Sequence, residues 1–248
     1  MKMWQPDRRV VGPRAAAEGD IGSLNRLFSD SFTDRYRRDG LVGVRVPQLN
    51  PQVWRYALRD AGGGARLWQD EHEEIVAFNV AHASGSEGWM GPLAVRPDRQ
   101  GLGLGQAIVT AAIDWLREQP VRTLGLETMP RTVENIGFYS RLGFLPGHLT
   151  VTMTNDVKTR AVRGRFERLG QASVAERRSW LAACASALGL AVPGHDYTRE
   201  LTLTNELNLG DTLIVTADGA VTGFALYHSV PLAEARPADE LRVLKLFA

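Results

Sequence analysis

The run Val95-Arg96-Pro97-Asp98-Arg99-Gln100-Gly101-Leu102-Gly103-Leu104-Gly105-Gln106 carries the clearest chemistry in the chain. Trp89–Val95 before it is apolar enough for a buried strand, and Ala107–Leu116 after it places Ile108, Ala111/Ala112 and Trp115 at helical spacing. Three alternating glycines therefore sit where a strand turns into a helix. Without a Cβ, glycine lets the backbone take unusual dihedrals and approach a ligand closely. The first amides of a helix lack internal partners. The combination is an anion site, most naturally for a phosphate or pyrophosphate.

Two common phosphate motifs fit poorly. A P-loop needs Gly-Lys-Ser/Thr, but Gly105 is followed by Gln106 and Ala107. A dinucleotide fingerprint needs a third glycine at 106 and an acid about 20 residues on, where only Glu127 is available. The spacing Gln-x-x-Gly-x-Gly from Gln100 to Gly105, behind Val-x-Pro, resembles instead the acetyl-CoA pyrophosphate loop of the GNAT acetyltransferase superfamily. A second stretch, Phe138-Tyr139-Ser140-Arg141-Leu142-Gly143-Phe144, resembles that family's Tyr-x-x-x-Gly-Phe signature. The resemblance covers about residues 8–155.

The resemblance implies direct attack of an amine on the thioester of acetyl-CoA, with no metal. The acceptor would be a small-molecule or peptide amine. The diphosphate would lie on Gln100, Gly101, Leu102, Gly103, Leu104, Gly105 and Gln106, and the pantetheine arm along Leu93, Ala94 and Val95. Thr132, Asn135, Phe138, Tyr139 and Arg141 would flank the cofactor from the following helix. The family commonly carries Asn and Ala where this chain has Thr132 and Asn135. Tyr139 would protonate the leaving thiolate, and Glu127 is the best acidic candidate for a general base. Plain alternatives are a core aromatic for Tyr139, a solvated carboxylate for Glu127 and a surface arginine for Arg141. His82 is a weaker base candidate at a strand end. Arg35, Tyr36, Arg37, Arg38 and Asp39 fall where acceptor residues of this superfamily lie, and suit a polar or anionic acceptor or simply a solvated face. A non-catalytic acyl-CoA-binding or scaffold protein on the same fold is the competing class.

Composition narrows the rest. The chain has 248 residues, 44% hydrophobic and 23% charged, with a net charge of +1. That is an ordinary globular composition, with no electrostatic case for nucleic acid or a membrane surface. The one cysteine, Cys184, forbids an internal disulfide and lies in an apolar helical pattern, as a buried structural thiol would. His72, His148, His195 and His228 have no metal-ligand spacing. No apolar run reaches the roughly 18 residues that span a bilayer, and the first eleven residues lack the apolar core of a secretory signal. A cytoplasmic location is the expectation.

The elements that must position these residues read in order as an α+β or mixed α/β chain. A strand is expected at Arg9–Val11, a helix after Asp20 through Phe32, and a helix opened by Asn50-Pro51. Strands follow at Ala65–Gln69, Ile75–His82 and Trp89–Val95, with Ala83–Gly88 as a connector. Pro92 removes a ladder hydrogen bond and predicts a bulge or a local splay. After the glycine loop and its helix come a strand at Val121–Thr128, a helix over Thr132–Leu142 and a last strand at Leu149–Thr154.

A second, incomplete copy then begins near Arg163, giving units 1–155 and 160–248. At one fixed offset Leu67 matches Leu213, Ile75 Val221, Ala77 Gly223, Phe78 Phe224 and His82 His228. Ser173 and Glu176 form a capping box, Gly189 closes that helix, and Asp218-Gly219 is a hairpin signal. The last strand, Leu241–Phe247, would match Leu93–Val95, with Ala248 aligned to Val95. This copy is either a half-domain or the front of a longer unit. Its open edge is expected to pack on the first unit or on another chain, as in a homodimer.

Overall fold

The computed structural model describes residues 9–148, 150–156, 165–234 and 239–248. The first helix, α1 (Ile21–Arg38), buries Ile21, Leu24 and Leu27. Asp20 sits at its start but caps nothing in it; the carboxylate instead accepts from the Ala17 amide at 2.9 Å and from Arg14 at 2.7 Å. The next helix, α2 (Pro51–Ala61), starts as expected: the Asn50 side chain accepts from the Gln52 amide at 3.0 Å, and Pro51 needs no donor there.

A five-stranded sheet runs in the order β1 (Val10–Ala15), β2 (Ala65–Asp70), β3 (Ile75–Ser84), β4 (Glu87–Val95), β5 (Thr123–Leu126). Its first four strands are antiparallel, and β5 joins β4 in parallel. β3 is apolar on both faces because both are covered, as a central strand requires. On one face Phe78 and Val80 pack with Leu24, Trp54 and Leu58 of α1 and α2. On the other, Val76, Ala77 and Ala81 pack with Ile108, Val109, Ala112 and Leu116 of α3 (Leu104–Arg117). The connector expected at Ala83–Gly88 is shorter: β3 runs to Ser84, and Gly85 turns the chain at φ +56° straight into β4. The short helix α4 (Val133–Arg141) follows β5. The strand expected at Leu149–Thr154 is not formed. Residues 150–154 are irregular and exposed, and Leu149 lies outside the described residues. Alternating Val151 and Met153 mimic a strand, but neither is buried, so no packed face rewards the pairing.

A second sheet has the order β6 (Arg165–Arg168), β7 (Gly210–Ala217), β8 (Ala220–His228), β9 (Arg242–Phe247), all antiparallel. Helices α5 (Val174–Ala191) and α6 (Thr198–Glu206) lie between β6 and β7 in sequence, as α1 and α2 lie between β1 and β2. The capping box is present: Ser173 Oγ accepts from the Glu176 amide at 3.3 Å, and Glu176 Oε2 from the Ser173 amide at 2.8 Å. Gly189 does not end α5, which continues two residues further. Asp218 and Gly219 turn the β7–β8 hairpin at φ +52° and +80°.

Both sheets also bulge at matching places, at Val76 and Thr222 on the third strands and opposite Val80 and Leu226 on the fourth. One pairing changes. Leu67 faces Phe78, but Phe224 faces Ile214 rather than Leu213; Ile214 is the fully buried one. Phe247 opposite Phe224 stands where Ala94 stands opposite Phe78. The expected start near Arg163, and residue 160, lie outside the described residues. Cys184 is 1% exposed in the core of this second unit, where burial pushes its thiol up to about 11.

The two units meet through polar contacts around the β3–β4 turn. The Ser86 amide donates to Gly194 O at 2.7 Å, Ser84 Oγ donates to the buried Glu200, and Tyr197 OH donates to Glu87 at 3.3 Å. Arg199 spans the junction, donating to Asp60 at 2.7 Å and to Ala83 O at 2.5 Å. Asp60 is 6% exposed, so Arg199→Ala would leave a buried carboxylate without this partner. A loss of about 1–3 kcal/mol is expected in denaturant melts; an unchanged midpoint would show that the junction does not depend on this pair.

Candidate functional site

The glycine loop starts from an anchored turn. Pro97–Arg99 form a single 3-10 turn. Arg99, 7% exposed, donates to Asp70 at 3.2 Å, and Arg96 reaches the same carboxylate at 3.1 Å. Asp70 also accepts from the His72 and Glu74 amides, each at 3.1 Å. Burial alone would raise the Asp70 carboxyl, but those amides and Arg96 outweigh it and hold it below the usual range. Nothing in the sequence marked Asp70 or Arg99; an acid in a polar turn before Glu71 reads as solvated. Asp70→Ala would take from the buried Arg99 its hydrogen-bonded carboxylate, leaving Asp98 at 3.5 Å and Glu71 at 3.8 Å, at a cost of about 1–3 kcal/mol, and loosen the loop. Because the folded pKa is depressed, this stabilisation is present above the ordinary carboxylate value of about 3.9 and is lost as pH falls below it. Acid melts should show the wild type losing stability in that window and Asp70→Ala losing less; parallel curves would contradict the assignment.

Beyond the turn, Gly101 and Gly103 have φ of +77° and +81°, conformations that residues with a Cβ rarely adopt. Gly103 is the N-cap of α3, and the Ala107 amide donating to Gly103 O at 3.1 Å closes the first helical turn. The amides of Leu104, Gly105 and Gln106 thus lie ahead of any intrahelical acceptor. Gly105 is ordinary helix and faces the Phe138 ring of α4, where a Cβ would make an ordinary contact at 3.6 Å. Leu102 is 58% exposed, and with Gly103, Leu104 and Ala107 it borders a shallow depression that also includes Val10 and Arg99.

Beside the loop the sheet opens. β5 pairs with β4 only over Glu87–Met90. Asn79 faces Leu93 and Ala81 faces Met90, so Gly91-Pro92 bulge opposite Val80, as Pro92 predicted. The Arg96 amide donates to Val76 O at 2.8 Å, which makes Val76–Arg96 and Phe78–Ala94 the hydrogen-bonded pairs. Leu93 and Val95 therefore turn their backbone groups away from β3, on the side where β5 has diverged. Ala94 does not; its backbone faces β3 and its side chain joins the α1–α2 core. The Val95 carbonyl accepts from Ser31 Oγ at 3.2 Å and Gln100 Nε2 at 3.0 Å, and Gln100 accepts from Arg38 at 3.1 Å. Gln100 is a brace between α1 and β4, and Ser31 a contributor that the sequence did not single out.

Across the opening stands α4. Tyr139 packs between Phe138 and Phe144 at 5.1 and 6.1 Å between ring centres, in the core that contains Leu93 and Leu104. Burial pushes its hydroxyl up to about 12. Among the described residues no group hydrogen-bonds that hydroxyl. Thr132, the N-cap of α4, is fully buried, and its hydroxyl donates to Asp39 at 2.9 Å. Asn135 donates to Thr128 Oγ1 at 3.3 Å, and Arg141 is exposed in the last turn. Glu127, one residue past β5, is exposed and accepts from Thr150 at 3.1 Å. His82 is turned to the unit junction: burial lowers its pKa, and the charges around it are Asp60, Lys245 and Arg199. Arg37 and Arg38 both reach Asp34 at 2.6 Å, so the basic run of α1 is largely neutralised internally. Among the described residues no three His, Cys, Asp or Glu side chains gather so as to hold a metal, and no helix is long and apolar enough to cross a membrane.

Comparison with known proteins agrees with this geometry. The chain is 30% identical over 132 residues to serotonin N-acetyltransferase 2, chloroplastic, of Oryza sativa subsp. japonica, covering 53% of this chain and 59% of that protein. It is 32% identical over 78 residues to an uncharacterized N-acetyltransferase, ycf52, of Pyropia yezoensis, covering 31% and 43%. The chain thus spans about half the length of these relatives. The fold of nearly the whole chain, 94% of it, matches 74% of a putative acetyltransferase from Pyrococcus horikoshii with a TM-score of 0.60 at 17% identity. Residues 24–144 match the model of the acetyltransferase (GNAT) family, and that stretch, which holds the glycine loop, the splayed β4 and Tyr139, is a GNAT-family unit.

Proposed function

We propose that this protein transfers the acetyl group of acetyl-CoA directly to an amine. The observation that carries the reading is the open N-terminus of α3, entered through two left-handed glycines and set beside the unpaired half of β4. A Cβ built on Gly101 or Gly103 would meet no atom within 4 Å, so the space before the loop is clear for a diphosphate. Bound there, acetyl-CoA would supply a thioester carbonyl for attack by a neutral amine, its sulfur leaving as a thiol.

Each group of the chain then has a task. The amides of Gly101–Gln106 hold the diphosphate, and the α3 dipole adds favourable charge. The backbone groups of Leu93 and the Val95 amide, turned away from β3, align the pantetheine arm, while the Val95 carbonyl is held by Ser31 and Gln100. Tyr139, with its pKa near 12, keeps its proton at neutral pH and can give it to the departing sulfur. Glu127 is the proposed base, directly or through water. The two sheets are proposed as two GNAT-like units; within these 248 residues only the first is followed by a glycine loop.

The test is release of free CoA thiol from acetyl-CoA across a panel of amines. The panel should include arylalkylamines, since the rice relative is named for serotonin, together with polyamines and peptide N-termini. Amine-dependent thiol release is expected for at least one. CoA binding without release for any amine would favour the acyl-CoA-binding alternative.

A further inference from the structure

The end of α1 is tied to the start of α4 by three contacts. Asp39, the C-cap of α1, accepts the Thr132 hydroxyl hydrogen bond at 2.9 Å through Oδ2, while its Oδ1 is paired with Arg35. Arg35 also reaches Glu134 at 3.6 Å. Arg131 lies over the Tyr36 ring at 5.9 Å. Asp39 and Thr132 are shielded: the Asp39 side chain is 6% exposed and Thr132 fully buried. Arg35 foremost, with help from Thr132, holds the Asp39 carboxyl below the usual range, so it is an ionised acceptor at neutral pH.

The use of Thr132 is unusual for an N-cap. A threonine there normally accepts from an amide one turn into its own helix. Here that bond is not made, and the hydroxyl is spent on a residue 93 positions earlier in the chain. Intrahelical stability has been exchanged for a fixed position of α4 relative to α1. Tyr139 lies about two turns further along α4. Asp39 also begins the segment that leads to Asn50 and α2.

We propose that Asp39 and Thr132 are positioning residues that set the Tyr139 hydroxyl against the leaving sulfur and link the 39–50 segment to the proton donor. This rests on the acetyl-transfer reading and on Tyr139 as its acid. It assigns Thr132 to the helix latch rather than to direct contact with the cofactor. The physical basis is that a reacting group misplaced by about 1 Å can lose up to about 100-fold in rate with binding intact.

Four variants test it: Thr132→Val, Thr132→Ser, Asp39→Ala and Tyr139→Phe, the first also combined with the last. Thr132→Val should lower kcat about tenfold or more while CoA affinity, by calorimetry, changes less than threefold. Thr132→Ser, which keeps the hydroxyl, should recover most of the rate. Asp39→Ala removes both carboxylate oxygens, breaks the same latch from the α1 side and should lower kcat in the same way, which covers the case in which Thr132→Val fails to fold. In the Tyr139→Phe background Thr132→Val should cost little more, because both changes act through one group. Full additivity, an unchanged kcat, or a loss of CoA affinity in place of rate would each overturn the latch while leaving a slow Tyr139→Phe to support the acid. A normal rate in Tyr139→Phe would overturn both.

Discussion

Replacing Tyr139 by phenylalanine is expected to leave CoA affinity nearly unchanged and to lower kcat by about 100- to 10,000-fold, the usual worth of a general acid. The substitution removes one oxygen that has no hydrogen-bond partner among the described residues, and it keeps the ring that packs with Phe138 and Phe144. Stability should therefore be retained or slightly raised, which separates the rate effect from unfolding. The pH dependence adds a check. A donor must stay protonated, and burial places the Tyr139 pKa near 12. Raising the pH should not remove the donor until that value, so the rate should hold through pH 10 once the amine is neutral. Single-turnover rates measure both effects. An undiminished rate with chemistry rate-limiting would remove Tyr139 from the mechanism.

Gly103→Val should abolish measurable CoA binding with modest damage to the fold. Gly103 has φ +81° and is 3.1 Å from the Ala107 amide through its carbonyl, so it sets the geometry of the first turn of α3. A β-branched residue resists that conformation, and its methyls would stand where the diphosphate must approach. No protein atom lies within 4 Å of the new Cβ, so the substitution should not overpack the core. Strain of about 1–3 kcal/mol is the expected stability effect. Calorimetry reporting wild-type affinity would refute the loop as the diphosphate site.

The parts of the fold set by local patterns were readable from the sequence. Asn50-Pro51, Ser173/Glu176 and Asp218-Gly219 each act within a few residues and form the caps and turn expected of them, and the glycine loop opens α3 through two left-handed glycines. Pro92 also foretold the bulge that turns Leu93 and Val95 toward the opening. The failures share a cause: their outcome depends on distant partners. Val151 and Met153 alternate like a strand, yet no layer covers them. Leu213 matches Leu67 at a fixed offset, but the pairing of β7 with β8 is moved by one residue, and Ile214 takes the buried position. Asp70 and Ser31 bond partners 26 and 64 residues away, so no spacing rule could select them, and Asp39, named only among the candidate acceptor residues, bonds Thr132 93 residues away.

The central claim is that acetyl-CoA binds at the α3 glycine loop of the first unit. Titrating CoA into protein of known concentration by calorimetry, with NAD as control, tests it most directly. The account predicts one CoA per chain, no heat from NAD, and loss of the CoA signal in Gly103→Val. Two equivalent CoA sites per chain, or a single site that survives Gly103→Val, would contradict it.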